Sequence, residues 1–119
     1  MRYCFYDRNG KACFYAIDNG DIYSFDGSPL GYIYQDKIYS IDGYHLGNLE
    51  KGWVIDKRGY PAYFEENSGN IGLVKPIKHI KSIPSVRHIF PVKGIRKVPS
   101  IKPVTKLSWS DCEGTDLFD

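Results

Sequence analysis

YSFDGSPLGYI, residues 23–33, returns as YSIDGYHLGNL at residues 39–49. In both, a short apolar stretch runs into Asp-Gly and a second stretch follows. Working outward, the flanks repeat the scheme with longer turns, as CFYDRNGKACFY at 4–15 and WVIDKRGYPAYF at 53–64. Asp7, Asp26, Asp42 and Asp56 open the four turns, and Gly10, Gly27, Gly43 and Gly59 close them. Asp-Gly in a two-residue loop predicts a type I′ hairpin, whose two central residues both take φ > 0. Asp-Arg-Asn-Gly and Asp-Lys-Arg-Gly predict a four-residue version with Gly in the left-handed region.

The phase of the repeats predicts a buried face. Three residues before each Asp stand Cys4, Tyr23, Tyr39 and Trp53, and three after each Gly stand Cys13, Leu30, Leu46 and Ala62. Counting back from the turns pairs these two sets across the strands on one core face. Pro29 and Pro61 share one slot, two after the Gly, where a missing N–H costs no bond within the hairpin. A single hairpin is not stable in water, so four joined by short links predict a pseudo-symmetric all-β assembly over residues 1–66.

These four segments, with the tail ending KLSWSD at 106–111, make the chain similar to the four-fold β-flower family. The resemblance implies four hairpins radiating around a pseudo-four-fold axis as a shallow barrel, and it implies no activity. GWVIDKRGYPAYF is also similar to the aromatic-glycine hairpins of cell-wall choline binders and the YD repeats of large toxins, which come in many more copies.

After a linker at 67–73, a different order begins. Val74, Ile77, Ile80, Ile83, Val86, Ile89, Val92, Ile95, Val98, Ile101, Val104 and Leu107 fall at every third position. Neither the helical period of 3.6 nor the strand period of 2 keeps such a row on one side. Polyproline II does, and Pro76, Pro84, Pro91, Pro99 and Pro103 favour it. The row beside it is basic at Lys75, Lys78, Lys81, Arg87, Lys93, Arg96 and Lys102. Over 34 residues such a ribbon spans roughly 105 Å, too long to cross its own core straight. It must bend around the core, fold back or reach another molecule. Burial of an aliphatic side chain is worth about 1.5–3 kcal/mol, so the row is expected to face a buried surface. Gly94 is the expected place for a sharp change of direction.

Charge divides the chain in the same way. Residues 1–70 hold seven Lys/Arg and ten Asp/Glu, residues 71–110 hold nine and none, and residues 111–119 hold none and four. The basic block either pairs with the acidic parts of its own chain or meets an anionic partner. Its seven-residue row is therefore the candidate anionic-surface binding set. A basic segment that is aliphatic rather than aromatic argues against nucleic acid.

No catalytic, cofactor or metal site is expected. His45, His79 and His88 are the only histidines, no Cys, Asp or Glu lies between the last two, and each turn Asp is explained by its turn. No nucleophile motif or phosphate loop occurs. Cys4, Cys13 and Cys112 fit neither a zinc spacing nor a disulfide scaffold, although Cys4 and Cys13 would be cross-strand neighbours. Trp109 and Phe118 of the acidic tail, 108–119, either fold back onto the core or form a recognition tail. With no apolar run of signal-peptide or membrane-span length, the chain reads as a bacterial cytoplasmic protein. The functional expectation is a non-enzymatic interaction or scaffold module, with a protein partner or a further copy of itself. The alternative is a peripheral anionic-membrane protein using the cationic-aliphatic ribbon.

Overall fold

A computed structural model describes residues 2–119. Eight antiparallel strands follow one another around a closed barrel. They are β1 (Arg2–Tyr6), β2 (Ala12–Ile17), β3 (Asp21–Ser24), β4 (Pro29–Tyr34), β5 (Lys37–Ser40), β6 (His45–Glu50), β7 (Trp53–Asp56) and β8 (Pro61–Glu65). Each quoted segment is one hairpin, and β8 closes on β1 through Phe5 opposite Glu65 and Tyr6 opposite Phe64.

All four hairpin tips have the same turn, which corrects the reading of two short and two long ones. Gly10 N–H donates to the Asp7 carbonyl and Asp7 N–H to the Lys11 carbonyl; Ser24, Gly27 and Ser28 repeat this, as do Ser40, Gly43 and Tyr44, and Asp56, Gly59 and Tyr60. The four glycines have φ of 77°, 93°, 95° and 96°, whereas neither Asp26 nor Asp42 has positive φ. The turn therefore opens on Asp7, Ser24, Ser40 and Asp56. At three tips the side-chain oxygen of this residue accepts from the turn's N–H groups, and at the second tip Asp26 Oδ1 accepts the Ser28 N–H instead. Asp7 Oδ1 accepts from the N–H groups of Asn9 and Lys11 at 3.0 and 3.1 Å, and Ser40 Oγ accepts from Tyr44 N–H at 3.1 Å. Positive φ at both loop residues does occur, but in the links, at Gln35-Asp36 (49°, 60°) and Lys51-Gly52 (51°, 82°).

Aligning the repeats on the tip glycine also corrects the paired faces. Cys13, Leu30, Leu46 and Ala62 are the extra residues at a register shift in each hairpin: Tyr6 faces Ala12, Tyr23 faces Pro29, Tyr39 faces His45 and Ile55 faces Pro61. A bulge puts two residues opposite one and bends the strand. The bulged residues point into the barrel with Phe5, Phe14, Ile22, Ile38, Val54 and Tyr63. Cys4 instead lies opposite Tyr15, and it packs outside with Tyr6, Trp53, Ile55 and Phe64. Cys4 and Cys13 are thus on different faces, and all three cysteines are free.

Tyr23, Tyr39 and Trp53 are buried as expected, but on the outer side of the barrel wall rather than inside it. The equivalent positions are Tyr6, Tyr23, Tyr39 and Ile55. Each meets the neighbouring hairpin in the same register, giving the pairs Phe64–Tyr6, Tyr15–Tyr23, Tyr32–Tyr39 and Asn48–Ile55. The three aromatic pairs stack at 5.6, 6.0 and 5.4 Å. Aromatic stacking across the seams is what binds one hairpin to the next.

The two segments after the barrel are part of the fold. Residues 67–73 bring the Gly69 carbonyl to Trp53 Nε1–H at 2.8 Å, and Ile71 and Leu73 pack on the outer cluster. The tail crosses the tip end. Ser110 is buried and its hydroxyl donates to Asp56 at 2.6 Å, Gly114 N–H donates to Asp7, and Leu117 and Phe118 enter the barrel core. Phe118 lies edge-on to Phe14 at 5.1 Å, in space that Gly31 leaves free. Of the two roles open to Trp109 and Phe118, folding back onto the core is the one realised, with Trp109 5.4 Å from Trp53.

Candidate interaction surface

Residues 74–107 contain neither helix nor strand. They run around the barrel as a belt, visiting the four tips in chain order. The N–H groups of His79, His88, Lys97 and Lys106 donate to the carbonyls of Gly10, Gly27, Gly43 and Gly59, at 2.8, 3.0, 2.9 and 2.9 Å. The belt carbonyls of Ile77, Val86, Ile95 and Val104 cross the same glycines so closely that a Cβ there would lie 2.1, 2.2, 2.3 and 2.6 Å from them. Both sets advance by nine residues per hairpin, which is three periods of three. Tied at four tips, the belt passes around a body 37 by 35 Å across.

Gly94 serves a different purpose from the one expected. Its φ is not positive, and its N–H donates to the Ile41 carbonyl at 2.8 Å. A Cβ there would meet the Asp42 carbonyl at 2.4 Å, so close backbone approach is what requires glycine. The belt curves gradually around the tips instead of turning once.

The aliphatic row faces away from the barrel, which overturns the expectation of a buried row. All twelve side chains are exposed, from 68% at Leu107 to 101% at Ile80. The adjacent basic row is the one turned inward. Lys75 lies 6.0 Å over Phe64, Lys78 5.5 Å over Tyr6, Arg87 5.6 Å over Tyr23 and Arg96 3.7 Å over Tyr34. Lys81 pairs with Glu66 at 2.6 Å, Lys93 with Asp21 at 2.7 Å and Lys102 with Glu50 at 3.9 Å. Lys97 and Lys106, outside that row, lie over Tyr44 and Tyr60 at 5.5 and 5.0 Å. Every one of the nine belt cations therefore has an aromatic ring or a carboxylate of the barrel region beneath it. Such contacts are weak singly, about 0.5–1 kcal/mol for an exposed cation on a ring, and act together here. Pro84, Phe90, Pro99 and Thr105 complete the inward row and are half-buried.

His45 was not singled out by its sequence context, and it is the belt's clasp at the third hairpin. It is buried, its Nδ1 accepts the Ser100 N–H at 3.2 Å, and its Nε2 lies 3.4 Å from Asn48 Oδ1. Nδ1 as acceptor requires the neutral ring protonated on Nε2. Burial holds its pKa below the ordinary 6.5, and Lys37 and Lys57 act in the same direction. The neutral ring is thus favoured in the folded state. The stability this group contributes is complete above pH 6.5 and falls as pH drops from there through the depressed folded value. The Ser100 amide resonance is therefore expected to titrate with that midpoint and to stop titrating in His45→Gln. A Ser100 resonance that does not move while the His45 ring protonates would contradict the clasp.

The remaining polar chemistry is closed. Burial raises the pKa of the Cys4 thiol, and that of Cys13 is pushed up to about 12 by burial and by Asp7, so both stay protonated and unreactive at neutral pH. Among the described residues no group of three His, Cys, Asp or Glu is placed to hold a metal ion. No helix among them is long and apolar enough to cross a membrane.

The closed ring of four equivalent hairpins, all tips tied by one belt, is matched by a family model described as 4-fold beta flower protein, over residues 4–118. The chain belongs to that family. The match takes in the belt and the tail as well as the barrel, so the β-flower unit here is the whole wrapped assembly. No curated protein and no solved structure matches the chain.

Proposed function

We propose that this β-flower protein is a non-enzymatic interaction module whose contact element is the aliphatic row of the belt. The observation behind this reading is the exposure of all twelve row side chains on a segment that is hydrogen-bonded to the barrel at every tip. Soluble monomers rarely leave so much contiguous apolar surface in water unless it is a contact site. The row gains nothing for the isolated fold, because the belt is held by its backbone and its cations. Lys75, Lys78, Lys81, Arg87, Lys93, Arg96 and Lys102 are exposed, but each charge already has a ring or carboxylate of the chain as a partner, which favours a protein partner over an anionic membrane.

Photo-crosslinking in cells tests this. A benzophenone side chain at Ile80, Ile89 or Ile101 is expected to give a discrete protein adduct, and one at the exposed, off-row Lys57 is expected to give none. Equal adducts at all four positions would rule the row out as the contact element. Cosedimentation with anionic vesicles that weakens with salt, and with Lys75, Lys78 and Lys81 all changed to Gln, would transfer the role to a lipid surface.

A further inference from the structure

The two ends of the barrel differ. At the tip end the chain fills its own interior with Leu117 and Phe118. At the link end an open cavity of about 270 Å³ lies between the four hairpins. One repeat position, two residues beyond the interior Phe14 or its equivalent, contributes Ala16, Ile33, Leu49 and Glu65 to its walls, and Tyr3, Ile17 and the links add the rest. These four lie opposite the interior residues Ile22, Ile38, Val54 and Phe5, which places the cavity on the pseudo-four-fold axis. Phe5 also lines the cavity.

Size and lining define what fits. An apolar cavity of about 150 Å³ already accepts benzene, so this one has room for an aromatic ring with a short substituent. The tail at the opposite end shows the kind of group the interior accepts, an aromatic side chain beside a branched aliphatic one. Charge then selects the substituent. Three of the four equivalent wall positions are apolar and the fourth is a carboxylate. No Lys, Arg or His is among the described residues that line it. Glu65 is half-buried, and its Oε2 accepts the Asn67 N–H at 2.6 Å, which fixes the carboxylate at the mouth.

We propose that the link-end mouth binds a small aromatic or branched-aliphatic molecule bearing an ammonium group. The hydrocarbon sits between Ala16, Ile33 and Leu49, and the ammonium meets Glu65. This site lies at the opposite end from the tips to which the belt is tied, and it does not depend on the belt's role.

Methyl-detected NMR of the full chain, titrated with phenethylamine, tests it. Saturable shifts are expected at the methyl groups of Ala16, Ile33 and Leu49. A hydrogen-bonded charge contributes about 1.5–3 kcal/mol, so phenethyl alcohol is expected to bind at least about tenfold more weakly. Glu65→Gln should reduce the amine to the level of the alcohol. Leu49→Trp should abolish the shifts by filling the mouth, and Ala16→Leu serves the same purpose with a smaller change. The proposal is overturned if those methyls do not respond to the amine. It is equally overturned if phenylacetate binds as well as the amine, or if Glu65→Gln leaves the amine affinity unchanged.

Discussion

Trp53→Ala is expected to cost about 3–5 kcal/mol of folding stability, the usual price of truncating a fully buried large aromatic. Trp53 is 0% exposed. Its ring packs 5.5 Å from Phe64 and 5.4 Å from Trp109, and its Nε1–H holds the Gly69 carbonyl. It therefore joins three parts of the chain: β7, the turn after the last strand, and the tail. Trp53→Phe keeps most of the apolar area and leaves the Gly69 carbonyl without this donor, so its cost should be nearer 1–3 kcal/mol. Urea denaturation of both variants provides the measurement. A loss below about 1 kcal/mol for Trp53→Ala would mean that this outer cluster does not hold the chain together.

The second large effect is expected from Gly27→Ala combined with Gly43→Ala. The left-handed backbone at φ of 93° and 95° costs an L-residue about 1–2 kcal/mol at each site. Each new methyl would also lie 2.2–2.3 Å from a belt carbonyl, of Val86 or Ile95, so the belt must lift there. A total of about 2–4 kcal/mol is expected from the backbone alone, since the sites lie in different hairpins and add. Hydrogen exchange should show faster amides at His88 and Lys97, whose bonds to Gly27 and Gly43 break. Gly114→Ala is the control, because Gly114 has φ of 56° and nothing within 4 Å of its Cβ position. If belt exchange in the double variant matches that control, the belt is not seated on the tips.

The four-hairpin barrel was legible because its signals are local. A Gly at each tip, a small polar residue opening each turn and apolar strands of four to six residues recur in phase. Turn chemistry and strand period act over a few residues, so they can be read without knowing what the strands touch. The face assignment was less secure for a physical reason. Side chains alternate with period two, and one bulge per hairpin inverts the relation between its two strands. Cys13, Leu30, Leu46 and Ala62 stood out as a repeat, but nothing local marks them as bulged. Equating the turns by their Asp rather than their Gly added a second shift of two residues in the inner hairpins.

The belt shows the same division. Its period of three was plain in the sequence. Which row faces the barrel was not legible. Local apolarity favours burying Ile and Val, and the expectation followed it. The outer barrel wall decided otherwise, because it presents Tyr6, Tyr23, Tyr34, Phe64, Asp21, Glu50 and Glu66 to the belt. Aromatic faces and carboxylates attract cations, and the tip glycines fix the belt's rotation by one hydrogen bond at each crossing. The link-end mouth has no sequence signature at all, since Ala16, Ile33, Leu49 and Glu65 meet only when the barrel closes. The sequence by itself determined the hairpins, their number and the period of the belt, all of which depend on neighbours along the chain. Closure of the ring, the outward turn of the aliphatic row and the open mouth were decided by tertiary structure, because each depends on which surfaces of distant segments come to face one another.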